Sequence, residues 1–208
     1  MKQQIHWPPR NDREAIARAE FNGFELTDGI RVGVGSNVIP QQGYRTDMYT
    51  DIRQGFQIPV LAAAVTREQL FELFLDLLDP LGEEVDVVLE TSHASRNAPH
   101  SDLWREYIDL PILKSKCLDY EELLMHDGCT GIAVLSNNGP LEVQFDEHKL
   151  LVVYASDLKP FQTIMKNSGI LRKKMKLITE GPHLHSTDEK FTEEFGAFAM
   201  HMGIDGNF

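Results

Sequence analysis

The stretch 59–90 constrains the fold more than any other part of the chain. It begins with "PVLAAAV" (59–65), an unbroken apolar run with the pattern of a strand buried on both faces. Thr66 followed by Gln69 matches a capping box. The segment after it places Leu70, Phe71, Phe74, Leu77 and Leu78 on one broad face and Glu68, Glu72 and Asp76 on the other. Pro80 and Gly82 stop this helix, and "VDVVLE" (85–90) reads as a second strand. A β-α-β unit of this kind predicts parallel strands with a right-handed crossover.

A second unit has the same layout. "LLVVYA" (150–155) reads as a buried strand, and Ser156 or Asp157 caps a helix with Leu158, Phe161, Ile164 and Met165 facing inward. Pro160 falls in the first turn, where its missing N–H is tolerated. Gly169 ends the helix, and "MKLITE" (175–180) reads as the next strand. At a constant offset, Leu61 aligns with Leu151, Phe71 with Phe161, Glu90 with Glu180 and His93 with His183.

The flanks extend the parallel. "GIRVGVGSN" (29–37) and "GIAVLSNN" (131–138) are strand-like runs ahead of each unit, preceded by helical patterns over 12–21 and 119–126. His100-Ser101 leads into "DLWREYI", and His185-Ser186 into "TDEKFTEEFGAFAMHM"; both are expected to be helices. The expected fold is therefore α/β (or α+β), a mixed sheet with β-α-β units and helices packed on its faces. Two pseudo-repeated halves, 1–110 and 111–208, each follow an α-β-β-α-β-α order, separate or merged into one compact unit. Residues 38–57 form a long polar connection whose second-half counterpart, around "NNGP", is much shorter and reads as a hairpin turn into "LEVQF".

Charge and composition narrow the partners. The formal net charge of −12 disfavours nucleic acid and anionic membrane surfaces. The one dense basic run, "RKKMK" (172–176), reads as a charged turn leading into a strand. Cys117 and Cys129 make neither a CxxC motif nor a disulfide framework, so free structural thiols in a reducing cytoplasm are expected. The N-terminal "MKQQIHWPPR" lacks a signal-peptide core. The most apolar segment, "LFELFLDLLDPL", carries acidic residues and is too short to cross a bilayer.

The carboxyl ends of parallel strands are where ligands bind in open α/β sheets. In the second half that edge would gather Asp157, Glu180, His183 and His185. His183 and His185 share a face if the chain is extended there. With Glu180 or Asp157 they could hold Zn²⁺ or another divalent transition metal, whose bound water would serve hydrolysis. In the competing reading His185 precedes a capping box at Ser186–Glu189, His183 and His93 are turn residues, and His201 sits at a helix end.

In the first half the edge would gather Arg67, Glu90, Ser92, His93 and Arg96, with a helix start suited to a small anionic ligand. Arg67 could equally be a surface ion-pair residue. There is no complete nucleophile set, no phosphate-binding glycine loop and no G-x-S-x-G elbow; "GVGSN" lacks the third glycine of a dinucleotide site. The expectation is a soluble cytoplasmic binding or regulatory protein, with a protein partner or small ligand at the strand ends. The alternative is a metal-dependent hydrolase-like enzyme.

Overall fold

A computed structural model describes residues 17–52, 55–93 and 101–204. Its centre is a seven-stranded sheet in which every neighbouring pair is antiparallel. Two short strands, β1 (Glu20–Phe21) and β2 (Phe24–Glu25), form a separate hairpin, and β3 (Ile30–Val32) follows. The large sheet is built from β4 (Gly43–Asp51), β5 (Phe56–Ala64), β6 (Glu84–Thr91), β7 (Ser101–Asp109), β8 (Thr130–Ser136), β9 (Leu141–Phe145) and β10 (Leu151–Ala155). Its strand order is β4-β5-β10-β9-β8-β6-β7. The strands of 1–110 and those of 111–208 thus interleave, with β8 to β10 inserted between two first-half hairpins.

Helices α1 (Arg67–Leu77), α2 (Leu110–Asp119), α3 (Glu121–His126), α4 (Lys159–Asn167) and α5 (Glu189–His201) supply the main core cover. The period-two alternation of the strands sends Leu61, Val87, Val134, Phe145 and Val153 into the same cluster as Phe74 of α1, Phe161 of α4 and Phe198 of α5. All of these are essentially buried, and each is worth roughly 1.5–3 kcal/mol of burial. Phe74 and Phe145 pack with ring centroids 5.3 Å apart, joining α1 to the middle of the sheet.

On the opposite face, a second cluster of the described residues packs over β5 and β10. There Ala62 and Ala64 meet Phe21, Phe24, Leu26, Ile30, Leu150, Met175, Leu177 and Ile178. This second cluster explains the unbroken apolar run of β5: its end is buried on both faces, as the sequence predicts.

The structure redraws several elements. Strands β5 and β6 run in the same direction but do not pair, because β10, β9 and β8 lie between them. Hairpin connections dominate the order of the sheet and make it antiparallel. The second expected β-α-β unit lacks its closing strand: within 175–180 only a short 3-10 turn, Ile178–Glu180, is regular. The basic run just before it lies against β4, where Arg172 donates to Thr46 Oγ1 (2.5 Å) and Lys173 Nζ to the Gln42 carbonyl (2.7 Å).

"DLWREYI" forms edge strand β7 rather than a helix, and 38–57 is largely the β4–β5 hairpin rather than a loop. The expected 12–21 helix falls mostly outside the described residues, and its described end holds β1 instead. Thr66 occupies the cap position of α1 without a side-chain cap bond; its hydroxyl accepts from Glu25 N–H at 3.0 Å. At α5 the cap is Asp188, which accepts from Lys190 N–H at 3.2 Å, displacing the expected Ser186. Among the described residues, no helix is long and apolar enough to cross a membrane.

Candidate metal centre

Strand β11 (His183–His185) pairs antiparallel with β3, register His183 with Val32 and His185 with Ile30. The extended backbone puts both imidazoles on one side and Leu184 on the other, as period two requires. A third imidazole, His148, reaches the same place from the β9–β10 hairpin turn. One ring nitrogen from each of His148, His183 and His185 lies within 4.8 Å of the others. The three rings pack in a triangle with centroid separations of 4.8 to 5.3 Å.

Each ring is held through Nδ1. His148 Nδ1 is 3.0 Å from Asp146 Oδ2, His183 Nδ1 is 2.8 Å from the Gly181 carbonyl, and His185 Nδ1 is 2.5 Å from the Gly128 carbonyl. The two carbonyls can only accept, so Nδ1 of His183 and His185 must carry the proton. The Asp146 carboxylate imposes the same tautomer on His148. Every Nε2 is then left with its lone pair, the arrangement that metal-binding histidines use.

The hairpin that carries His148 is itself built by Asp146. Its Oδ1 accepts from Leu150 N–H at 2.7 Å while its Oδ2 holds the ring. Lys149 takes the left-handed backbone conformation (φ 60°), and its buried ammonium donates to the Thr130 carbonyl at 2.9 Å. Burial holds that ammonium well below the ordinary lysine range, at about 8. On the other side, backbone crosses backbone: Gly128 N–H donates to Ser186 O (2.8 Å), and Ser186 N–H to Gly29 O (2.9 Å). A Cβ on Gly128 would sit 2.1 Å from Gly29 O, so only glycine allows the approach. Gly33 performs the same service where its N–H meets Pro182 O at 2.8 Å, which accounts for a glycine of "GVGSN" without any nucleotide.

The electrostatics separate the rings. Burial opposes charge on His148, but Asp146 and the Glu147 charge outweigh it and raise the pKa. Burial lowers that of His185, with the other two imidazoles adding to the effect against Gly128 and Glu147. A carboxylate, Glu147, therefore acts on two members of the triad; it also accepts from Ser92 Oγ at 3.2 Å.

The remaining sequence candidates lie as follows. Glu180 accepts from Arg45 Nη1 and from Leu177 N–H, each at 2.6 Å, and Asp157 accepts from Lys159 N–H at the start of α4. Neither belongs to the histidine triad, whose third member is His148. Arg67 lies 3.7 Å from Glu25 and 3.8 Å from Asp28, an exposed ion-pair cluster. Glu90 stands on β6 opposite Asp102, and its carboxyl is pushed up by burial and by acidic neighbours. Ser92 and His93 lie just beyond β6, His93 with its Nε2 2.8 Å from Asp127 Oδ2. Arg96 is outside the described residues. His201 ends α5 and bonds Tyr120 Oη through Nδ1 at 2.6 Å.

His148 left little trace in the sequence. "FDEHKLL" reads as a polar hairpin turn, and nothing in its spacing shows that β11 will pass beside it. The signal available was the D-x-H pair itself, a carboxylate able to orient an imidazole within a tight turn. Compared with protein-family models, curated proteins and solved structures, the chain gives no match.

Proposed function

We propose that the protein is a metal-dependent hydrolase whose centre is a divalent transition ion, Zn²⁺ by donor type, held by His148, His183 and His185. The observation that carries this is the triple anchoring of Nδ1, which leaves Nε2 of each ring as the donor to a metal, from two separate elements. Three imidazoles leave a tetrahedral ion one open position for water or substrate. The partly exposed site admits both. When bound, the ion would lower the pKa of its water toward neutrality. This chain's residues would hold the ion and orient the rings, and Glu147, whose charge acts on His148 and His185, is the acidic residue assigned to take up the water's proton. A reducing cytoplasmic setting is part of the proposal, since Cys117 and Cys129 are free thiols.

A second reading, a binding or regulatory module, is favoured by a groove on the sheet face opposite the main core. Tyr49, Phe56 and Tyr154 line it with Glu142 and Gln144. A small ligand or protein partner could use it, and the two readings are not exclusive.

The test is elemental analysis of protein purified without a metal-affinity tag, followed by Zn²⁺ titration and a survey of ester, amide and phosphoester hydrolysis. The proposal expects bound metal, lost on replacing any one of the three histidines by Ala, together with a hydrolytic rate lost in parallel. Metal bound without hydrolysis would leave the binding reading. Protein that takes up no metal and whose melting ignores Zn²⁺, Co²⁺ and Mn²⁺ would remove the centre itself.

A further inference from the structure

Next to the histidine triad lies a second group of donors. His93, Asp127 and Cys129 each offer one ligand atom, all within 4.8 Å of one another. They come from two connections, the one leaving β6 and the one entering β8, which the Ser92 N–H to Cys129 O bond (3.0 Å) ties together. Asp127 is fully buried, yet its Oδ1 has no hydrogen-bond partner of proper geometry. His93 Nε2 is likewise buried without a well-formed hydrogen bond, although it stands 2.8 Å from Asp127 Oδ2. A fully buried carboxylate oxygen without a partner is costly and calls for an explanation.

We infer that His93, Asp127 and Cys129 form a second transition-metal site, distinct from the histidine triad and suited to a thiophilic ion such as Zn²⁺. A mixed imidazole, carboxylate and thiolate set matches zinc donor chemistry, and a thiolate disfavours Mg²⁺ or Ca²⁺. Thr130 Oγ1 donates to Asp127 Oδ2 at 2.5 Å, orienting the carboxylate. Thr192 Oγ1, 3.3 Å from His93 Nδ1, orients the imidazole from its far side. Binding displaces the thiol proton of Cys129 to solvent, and one dipositive ion then balances the charges of the thiolate and the Asp127 carboxylate.

A catalytic cysteine relay fits less well. A relay needs one imidazole nitrogen on the acid and the other on the thiol. Here Nε2 faces Asp127 and Nδ1 faces Thr192.

Co²⁺ titration of the intact protein is the test, read by absorption. A thiolate ligand gives sulfur-to-cobalt charge transfer in the near ultraviolet, which imidazole donors do not produce. The inference expects that band to saturate, to vanish in Cys129→Ser, and to survive in His148→Ala, where the triad is broken. In unsubstituted protein, Zn²⁺ should also slow alkylation of Cys129 at least tenfold. No charge-transfer band at saturating Co²⁺, with Cys129 alkylation unchanged by Zn²⁺, overturns it. A band lost in His148→Ala as well as in Cys129→Ser, with both variants folded, would also overturn it as a separate site. Because the band reports Cys129 alone, failure here leaves the triad's own metal uptake to be judged independently.

Discussion

Gly128→Ala is a one-methyl change that tests whether the backbone crossing positions the triad. The new Cβ would stand 2.1 Å from Gly29 O and 2.8 Å from Ser186 O, where Cβ atoms essentially never approach closer than 3.0 Å. Both contacts are backbone, so no side-chain rotation relieves them. Separating the strands by about 0.9 Å (3.0 less 2.1) strains or breaks three bonds: Gly128 N–H to Ser186 O, Ser186 N–H to Gly29 O, and His185 Nδ1–H to Gly128 O. At about 0.5–1.5 kcal/mol net for each, the loss is about 1.5–4.5 kcal/mol. For a chain of this size it corresponds to roughly 3–18 °C in Tm. Because His185 loses its orienting carbonyl, Zn²⁺ affinity should fall about 10–100-fold as well. Denaturant unfolding and Zn²⁺ calorimetry on the same preparation read both effects. Stability within about 0.5 kcal/mol of the parent, with unchanged affinity, would refute the reasoning.

Other perturbations separate the parts of the account. Phe74→Ala should cost about 3–5 kcal/mol in urea unfolding, because the ring is fully buried against Phe145 and has no solvent to collapse toward. Asp146→Ala removes both the His148 anchor and the Leu150 turn bond, so Zn²⁺ should bind about 10–100-fold more weakly in titration. Arg67→Ala should change stability by no more than about 0.5 kcal/mol, as its ion pairs are exposed and long. Burial pushes the Cys117 thiol up to about 12 from an ordinary 9.0. The unfolded thiol therefore ionises first, and this group's contribution to stability falls as pH rises from about 9 toward 12. In metal-free native protein at pH 8, iodoacetamide should modify the half-buried Cys129 and spare the buried Cys117, as peptide mass mapping would show.

Local elements were legible where periodicity was strong. The strand 59–65, the helix after it, the "NNGP" hairpin and the core stripe Phe191, Phe195, Phe198 all follow from side-chain spacing, which is a local property. Strand partners are not local. The β5-α1-β6 unit reads as a neighbouring parallel pair until three later strands pair between its members, and no residue in 59–90 records that insertion. The apparent repeat fails at 175–180 for a related reason. Lys173, Met175 and Lys176 are engaged with the β4 side and the second core cluster, which takes this segment out of the sheet. "DLWREYI" alternates well enough for a strand, and edge pairing with β6 decided it over the helical reading.

The candidate site was half visible for the same reason. His183 and His185 share a face by period two alone, and the H-x-H spacing shows it. Their third partner depends on where a hairpin turn from another part of the chain comes to rest. The close backbone approaches at Gly33 and Gly128, which let β11 lie there, appear in sequence only as ordinary glycines. His93 stands just past the end of β6, and its companions Asp127 and Cys129 come just before β8, a later strand whose pairing beside β6 nothing near His93 in the sequence records.

The central claim is that three imidazoles with fixed Nδ1 protons converge on one ion. Crystals grown with Zn²⁺ and measured at the zinc absorption edge address it directly. The account predicts an anomalous peak about 2.0–2.1 Å from Nε2 of His148, His183 and His185, with Nδ1 of each still bonded to Asp146, Gly181 and Gly128. A fully soaked crystal with no peak among these rings, or with the ion bound through Nδ1, would contradict it.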